Sequence, residues 1–436
     1  MRNACAVALA MAVSGCATIP AGTGARPLTG LAALRSTLDS IHSDPQFQSA
    51  IVGILVADAA SGETLYSRNA RTALMPASNM KLVTGAVALA RLGADYRYRT
   101  TFELRGSVSD STLNGDLLVF GRGDPSLSQR MLGNPLAVLA GLADSLRARG
   151  IGRVNGRLIH AGDAFPGSIY GFGWSHGYLD QSYAAGVDEL LFNEGLSFDP
   201  SHPHGGDTTS AAPAQDPARA YLDALRFALG ARGVVISDST VRDTAAVAVP
   251  GGGAFDLVSP PLSEILAALE KPSQNQMAEA LFRTLALDST GSGDWATAAR
   301  IATQQLIEWG ADTMQFIIRD GSGLSRHNLV SPNTVVIVLR AMRAHPGFAH
   351  FHAALPAVGH EGTVRRWLPG TRASEAVRGK TGTLDMVRAF SGYTTSVDGR
   401  PLVFSFIANH HRTPTSQVTA AIQTMLRALT ELPLRQ

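Results

Sequence analysis

Pro76-Ala77-Ser78-Asn79-Met80-Lys81 is the stretch from which the rest of the chain is read. Ser78 stands just before or at the start of a helix expected over Asn79 to Leu92, with Gly93 as its stop. Lys81 follows three residues later, so the two side chains share one helical face. A serine hydroxyl is a poor nucleophile until a base removes its proton. A lysine desolvated in a cleft loses its charge and becomes such a base. The helix N-terminus also favours negative charge developing beside it. Alone, Ser-x-x-Lys carries little weight: the ordinary reading of Ser78 is an N-cap, and that of Lys81 a solvated helix residue.

Two further motifs change that weighting. Ser273-Gln274-Asn275 follows Lys271-Pro272. There Ser273 can relay a proton between Lys81 and a leaving group, and Asn275 can hold Lys81 and accept a substrate backbone. By itself this motif reads equally well as a helix cap. Lys380-Thr381-Gly382-Thr383 is more specific. On an edge strand, Lys380 and Thr381 can bind a terminal carboxylate, and Gly382 lets a backbone approach closely. The backbone N–H groups of Ser78 and Thr383 can form an oxyanion hole. Together the three spell S-x-x-K, S-x-N and K-T-G, in an order and in local contexts that a chance match does not explain.

Outward from the motifs, the chain ends share one grammar. Leu31, Leu34, Leu38 and Ile41 have helical spacing. Ile51 to Ala57 and Thr64 to Ser67 read as strands around a turn at Ala60-Ser61-Gly62. Val377 to Thr383, Ala389 to Val397 and Leu402 to Ala408 are strand-like, with Asp398-Gly399 turning the last pair. Thr415 to Leu432 closes as an amphipathic helix. The fold class is therefore α/β in the mixed α+β sense, with one antiparallel sheet built from both chain ends and flanked by helices. Residues 99–257 read as an inserted domain, rich in Gly, Asp and short strand-like runs such as Thr100 to Leu104 and Asp116 to Phe120. Its ends must lie close together. Residues 29–98 and 258–436 then make the catalytic domain, with Leu262 to Leu269 reopening helical structure before the second motif.

The 436 residues, 45% hydrophobic and 17% charged, exceed one ordinary domain and can fill a sizeable core. A net charge of +2 with no basic run leaves no nucleic-acid footprint. Arg2 and the apolar run Ala4 to Ser14 are too short for a mature membrane span and read as an export signal over residues 1–15. Val13-Ser14-Gly15-Cys16 resembles a bacterial lipobox, in which Cys16 is lipidated; an ordinary secretory signal cut near Ala17 is the alternative. Ala17 after the cysteine favours outer-membrane sorting by the same resemblance. Residues 16–28 read as a tether. The only cysteines, Cys5 and Cys16, fall in this segment, so the mature body has no thiol for a disulfide, a nucleophile or a zinc site. His202 with His204, and His350 with His352, lack a third ligand, and no metal is expected. Arg122-Gly123-Asp124 reads as a structural turn, and Arg365 and Arg366 as solvent-facing.

From about residue 30 to the end, the chain resembles the low-molecular-mass class C penicillin-binding proteins, the D-alanyl-D-alanine carboxypeptidase/endopeptidase family. Beyond the three motifs, the resemblance rests on Gly123-Asp124-Pro125-Ser126-Leu127, Gly173-Trp174, Asp320-Gly321-Ser322-Gly323-Leu324-Ser325-Arg326 and Gly362-Thr363. The large insertion between Lys81 and Ser273 separates it from class A β-lactamases, which share the motifs. The resemblance implies a transpeptidase-like, serine β-lactamase-like catalytic domain. It also implies attack by Ser78 on the D-Ala-D-Ala amide of peptidoglycan stem peptides, covalent reaction with β-lactam antibiotics, and no cofactor. Lys81, Ser273, Asn275 and Lys380 would complete the catalytic set, with Thr381, Gly382, Thr383, Trp174, Tyr178 and Tyr183 facing substrate. Two departures stand out. Asn193 to Pro217 is short, so the family's nested third domain is reduced or absent. Tyr178 occupies the position where the family often carries an acid near the substrate's amino-bearing side chain; Asp180 lies two further on. A β-lactamase-like hydrolase and a non-enzymatic, lipid-anchored wall-binding protein are the competing readings.

Overall fold

The computed structural model describes residues 28–202, 211–249 and 253–435. The expected signal, Cys16 and all but the last residue of the tether lie outside the described residues, as do His204 and most of the polar loop after Ser201.

A five-stranded antiparallel sheet organises the catalytic half. Its order runs Arg378–Leu384, Val387–Thr395, Pro401–Asn409, Ile51–Asp58, Thr64–Arg68, so the C-terminal strands pair directly with the N-terminal hairpin. Period-two alternation sends side chains to both faces. Val52, Ile54, Val56, Phe390, Phe404 and Phe406 pack with the helices Gly30–His42 and Thr415–Glu431. Leu55, Ala57, Ala389, Tyr393, Val403 and Ile407 pack on the other face with the helices Met80–Leu92, Asn275–Thr290 and Pro332–Ala344. Both faces are therefore covered, which is why these strands read as nearly continuous apolar runs. Truncating a ring such as Phe404 to alanine removes roughly 3–5 kcal/mol.

Residues 99–258 build a second sheet of seven strands. Arg99–Ser109 and Thr112–Phe120 form its antiparallel spine, and Phe255–Val258 returns antiparallel beside Arg99–Phe102. The short strands Arg153–Val154, Leu158–Ala161, Val235–Ile236 and Thr240–Asp243 add parallel pairs. The helices Pro135–Arg147 and Pro217–Ala231 cover it with a core of its own. The inserted region leaves the main body after Leu92 and re-enters it at the helix Leu262–Glu270, which carries the chain to the second motif. Within it, Asp124 is buried and its carboxylate accepts the Ser126 N–H, while Gly123 has φ +80° and donates its N–H to the Glu189 carbonyl.

Candidate active site

The turn that carries Ser78 is strained and tightly clasped. Residues Ala77–Asn79 form one 3₁₀ turn that runs into the helix Met80–Leu92, with Gly93 at the C-cap. Ala77 takes a φ of +47°, a conformation costly for any residue with a Cβ. Two glycines make room for it. A Cβ on Gly323 would stand 1.9 Å from the Ala77 carbonyl oxygen, and one on Gly382 would stand 2.5 Å from that of Pro76. Gly382 therefore serves the packing of the strand Arg378–Leu384 against the turn that presents Ser78. Asn79 clamps the same junction, its side-chain amide donating to the Lys380 carbonyl at 2.7 Å.

Lys81 is fully buried, with Nζ 2.9 Å from Ser78 Oγ, 2.6 Å from Asn275 Oδ1 and 2.9 Å from the Ser322 carbonyl oxygen. The amide and carbonyl oxygens can only accept. The serine hydroxyl can accept or donate, so a neutral amine fits all three: two N–H groups to the oxygens and a lone pair toward Ser78. Burial, reinforced by the nearby charge of Lys380, pulls the Lys81 ammonium down to about 7. The Ser322 carbonyl is held in place by the loop that follows Asp320. The Asp320 carboxylate accepts the N–H groups of Gly323 and Ser325, and Glu279 accepts those of Gly321 and Ser322.

Ser273 takes a left-handed φ of +67°. Its N–H bonds to the Glu270 carbonyl, and Gln274, rather than Ser273, caps the helix Asn275–Thr290 by accepting from the Met277 N–H. The serine hydroxyl is thus left to face the cleft. Asn275 spans two regions, donating to the Tyr183 carbonyl at 2.7 Å while accepting from Lys81.

A cleft of about 400 Å³ gathers Ser78, Ser273, Asn275, Tyr178, Tyr183, Thr381 and Thr383 with Gly323, Leu324, Thr363, Leu384 and Asp385. Tyr178 and Tyr183 meet edge to face at 5.8 Å. Thr363 Oγ1 lies 2.7 Å from Thr381 Oγ1. Lys380 and Trp174 are not among the lining residues. Lys380 is fully buried beneath the strand, its Nζ donating to the Thr381 carbonyl at 3.1 Å, and burial pulls its ammonium downward. Trp174 donates its indole N–H to Asp320 at 2.9 Å, so it braces the loop that holds Lys81 from behind.

The family model for D-Ala-D-Ala carboxypeptidase 3 (S13) matches residues 34–208 and 200–429. The chain belongs to the S13 family. A D-alanyl-D-alanine carboxypeptidase from Actinomadura sp. strain R39 is 31% identical, over 88% of this chain and 82% of its own length. Penicillin-binding protein 4 of Haemophilus influenzae has the same fold, with a TM-score of 0.78 at 21% identity, covering 90% of this chain and 98% of that one. A penicillin G-acylated predatory endopeptidase of Bdellovibrio bacteriovorus also shares the fold, with a TM-score of 0.55 at 16% identity, over 88% of this chain and 95% of that one. The S13 fold thus accounts for both the sheet built from the chain ends and the insertion between the first two motifs.

Several residues at the site escaped the sequence reading. Glu270 and Glu279 are fully buried carboxylates on the helices Leu262–Glu270 and Asn275–Thr290, and nothing in the sequence sets them apart from the solvent-facing polar residues of the same helices. Arg388 bonds Thr383 Oγ1 from the neighbouring strand, and burial pulls its guanidinium down to about 10. A further polar cluster, His160, Asp188 and Glu189, lies buried in the inserted region with ligand-type atoms within 4.8 Å of one another. There the Arg242 guanidinium, 3.1 Å from Asp188 and 3.8 Å from Glu189, already supplies a cation. His202 is exposed and bonded to Asp199, and His352 packs on Tyr393.

Proposed function

We propose that the chain is an exported serine D,D-peptidase that hydrolyses the terminal D-Ala-D-Ala bond of peptidoglycan stem peptides, with D-amino-acid cross-links as a second substrate. The observation that carries this reading is the buried Lys81 amine, 2.9 Å from Ser78 Oγ, with its other two partners restricted to acceptors. Ser78 Oγ attacks the carbonyl carbon of the penultimate D-Ala as its proton passes to Lys81. The N–H groups of Ser78 and Thr383 receive the oxyanion. The C–N bond breaks, and Ser273 relays the proton to the departing amine of D-Ala. Water then hydrolyses the Ser78 ester. Thr381 and Thr383 contact the substrate carboxylate, with Lys380 supplying positive potential from beneath. Tyr178 and Tyr183 form the wall against which the stem peptide lies.

The same attack on a β-lactam opens the ring but leaves the amine tethered, which favours a lasting adduct. Family membership supports an enzyme acting outside the cytoplasm. Cleavage before Cys16 and lipidation there, with outer-membrane sorting, complete the reading. Among the described residues no helix is long and apolar enough to cross a membrane, and multiple acyl chains on Cys16 would anchor stably.

Intact mass after mixing the purified protein with benzylpenicillin tests the proposal, alongside Ser78→Ala. A lasting single adduct that the variant lacks is the expected outcome. Rapid penicillin turnover without an adduct would assign a β-lactamase, and neither adduct nor turnover would assign a wall-binding protein.

A further inference from the structure

None of the described residues that line the cleft is cationic, and one, Asp385, is an acid. The reaction above nevertheless places a carboxylate there, at Thr381 and Thr383. Lys380 stands beneath the strand Arg378–Leu384, its Nζ committed to the Thr381 carbonyl at 3.1 Å. Lys271 and Arg378 are both committed to Glu361, at 2.8 and 3.1 Å. At the cleft surface a bound carboxylate would meet hydroxyls alone, unless a cation stands directly behind them.

Arg388 is that cation. It lies directly opposite Thr383 in the antiparallel pairing of the strands Arg378–Leu384 and Val387–Thr395, which puts the two side chains on one face of the sheet. Its Nη1 donates to Thr383 Oγ1, its one side-chain hydrogen bond among the described residues. The buried Nε has no partner. Burial lowers the proton affinity of the guanidinium, and no carboxylate raises it. What holds it is the Trp367 ring, over which it lies at 5.3 Å. A guanidinium fixed by a ring and a hydroxyl, with a buried nitrogen unpaired, is a charge the protein itself leaves unanswered. The direction of its one bond adds the chemistry. A guanidinium only donates, so Thr383 Oγ1 accepts and keeps its own proton for another partner. Thr383 is exposed in the cleft, and a hydroxyl that accepts from a cation is polarised into a better donor. An anionic group that only accepts completes the chain.

We propose that Arg388 is a positioning residue for substrate charge: acting through the Thr383 hydroxyl, it makes the cleft select ligands that carry a free carboxylate beside the bond to be cut. This rests on the peptidase reading above and deepens it, by naming the cation that answers the carboxylate from behind Thr383. Lys380 adds its charge from the other face of the same strand.

The test pairs benzylpenicillin with its methyl ester, which has the same ring and no anionic charge. Second-order acylation rates are read by intact mass for the wild type, Arg388→Met and Arg388→Lys. The wild type is expected to prefer the free acid. Arg388→Met is expected to lose about tenfold toward the acid and to keep its rate toward the ester, so that the preference collapses. Arg388→Lys, which keeps the charge but not the planar fork, is expected to retain part of the preference. Thr383→Val removes the hydroxyl through which Arg388 acts, so the double variant is expected to be no slower toward the acid than Thr383→Val alone. An unchanged acid preference in a folded Met variant would overturn the proposal. So would equal losses toward acid and ester, which would mark Arg388 as a support of the strand, and additive losses in the double variant, which would remove the route through Thr383. A wild type that reacts equally with acid and ester overturns it with no variant to fold. A wild type that neither ligand acylates would sink the peptidase reading instead. NMR titration with N-acetyl-D-Ala-D-Ala and with its C-terminal amide would then decide the role of Arg388, by whether Arg388→Met weakens binding of the acid alone.

Discussion

Of the side chains at the site, Lys81 is the one whose protonation decides the proposed reaction. Its three partners leave one place for a lone pair, and burial holds its proton loosely, at about 7. The sign follows directly: below that value the amine is charged and cannot take the Ser78 proton, so acylation falls about tenfold per pH unit as pH drops. Lys81→Arg keeps the charge and the reach but cannot deprotonate. It is expected to lose about 10²–10⁴-fold in acylation rate across the whole range, without the recovery at higher pH that the wild type shows. Mass-resolved benzylpenicillin acylation at several pH values measures both. That Ser78, Lys81 and Asn275 come together was legible in the sequence, because chemically distinctive side chains at short spacing stand out as motifs. Glu270 and Arg388 were not, because a lone charged residue in the sequence looks the same whether it faces water or the protein interior. Of the three aromatic residues read as facing substrate, Tyr178 and Tyr183 line the cleft, while Trp174 reaches Asp320.

Among the elements, the decisive contact is between the strand Arg378–Leu384 and the turn that carries Ser78. Two glycine-to-alanine substitutions at that turn, with a third in the inserted region as a control, rank the forces. Gly323→Ala faces a carbonyl oxygen at 1.9 Å and needs φ +86°, so it is expected to cost the most stability, about 3 kcal/mol or more. Gly382→Ala faces the Pro76 oxygen at 2.5 Å. It is expected to cost about 1–3 kcal/mol and, by moving the strand off Ser78, to slow acylation by about 10²-fold. Gly230→Ala has open space in the helix Pro217–Ala231 and is expected to stabilise by about 0.5–1 kcal/mol with acylation unchanged. Thermal unfolding and acylation rates of the three variants check the order. The strands and helices themselves were readable from periodicity. The reason for Gly382 was not, since a glycine that admits a substrate and one that admits a neighbouring turn leave the same letter. Nor was the left-handed Ser273, because Gln274 takes over the capping that a serine at that point ordinarily performs.

At the largest scale, the inserted region has to be held so that Tyr178 and Tyr183 meet Ser78, which another part of the fold carries. The sheet from the two chain ends was legible, because terminal strands with matching apolar patterns have to find each other. The parallel pairs of the second sheet were not, because strands of two to four residues carry too little pattern. The tie between the regions was invisible for a different reason: it runs from one side chain to backbone. Arg283, fully buried on the helix Asn275–Thr290, donates to the carbonyl oxygens of Gly293, Pro166, Ser168 and Val187, and lies over the Phe165 ring at 4.5 Å and the Trp295 ring at 4.9 Å. Pro166, Ser168 and Val187 bracket the segment bearing Trp174, Tyr178 and Tyr183, so one guanidinium fixes both ends of the cleft wall. Lys at this position offers a single amine that cannot span four acceptors, and the carbonyls it abandons stay buried. Arg283→Lys is therefore expected to lower stability by about 3 kcal/mol or more. It is also expected to weaken the initial β-lactam complex more than the limiting acylation rate, since the wall drifts while Ser78 and Lys81 keep their own contacts. Calorimetry reads the first effect, and the concentration dependence of acylation reads the second. An unchanged melting transition would mean that apolar packing alone carries the junction, whereas a lower limiting rate with an intact initial complex would place the influence of Arg283 on Asn275, through its bond to the Tyr183 carbonyl.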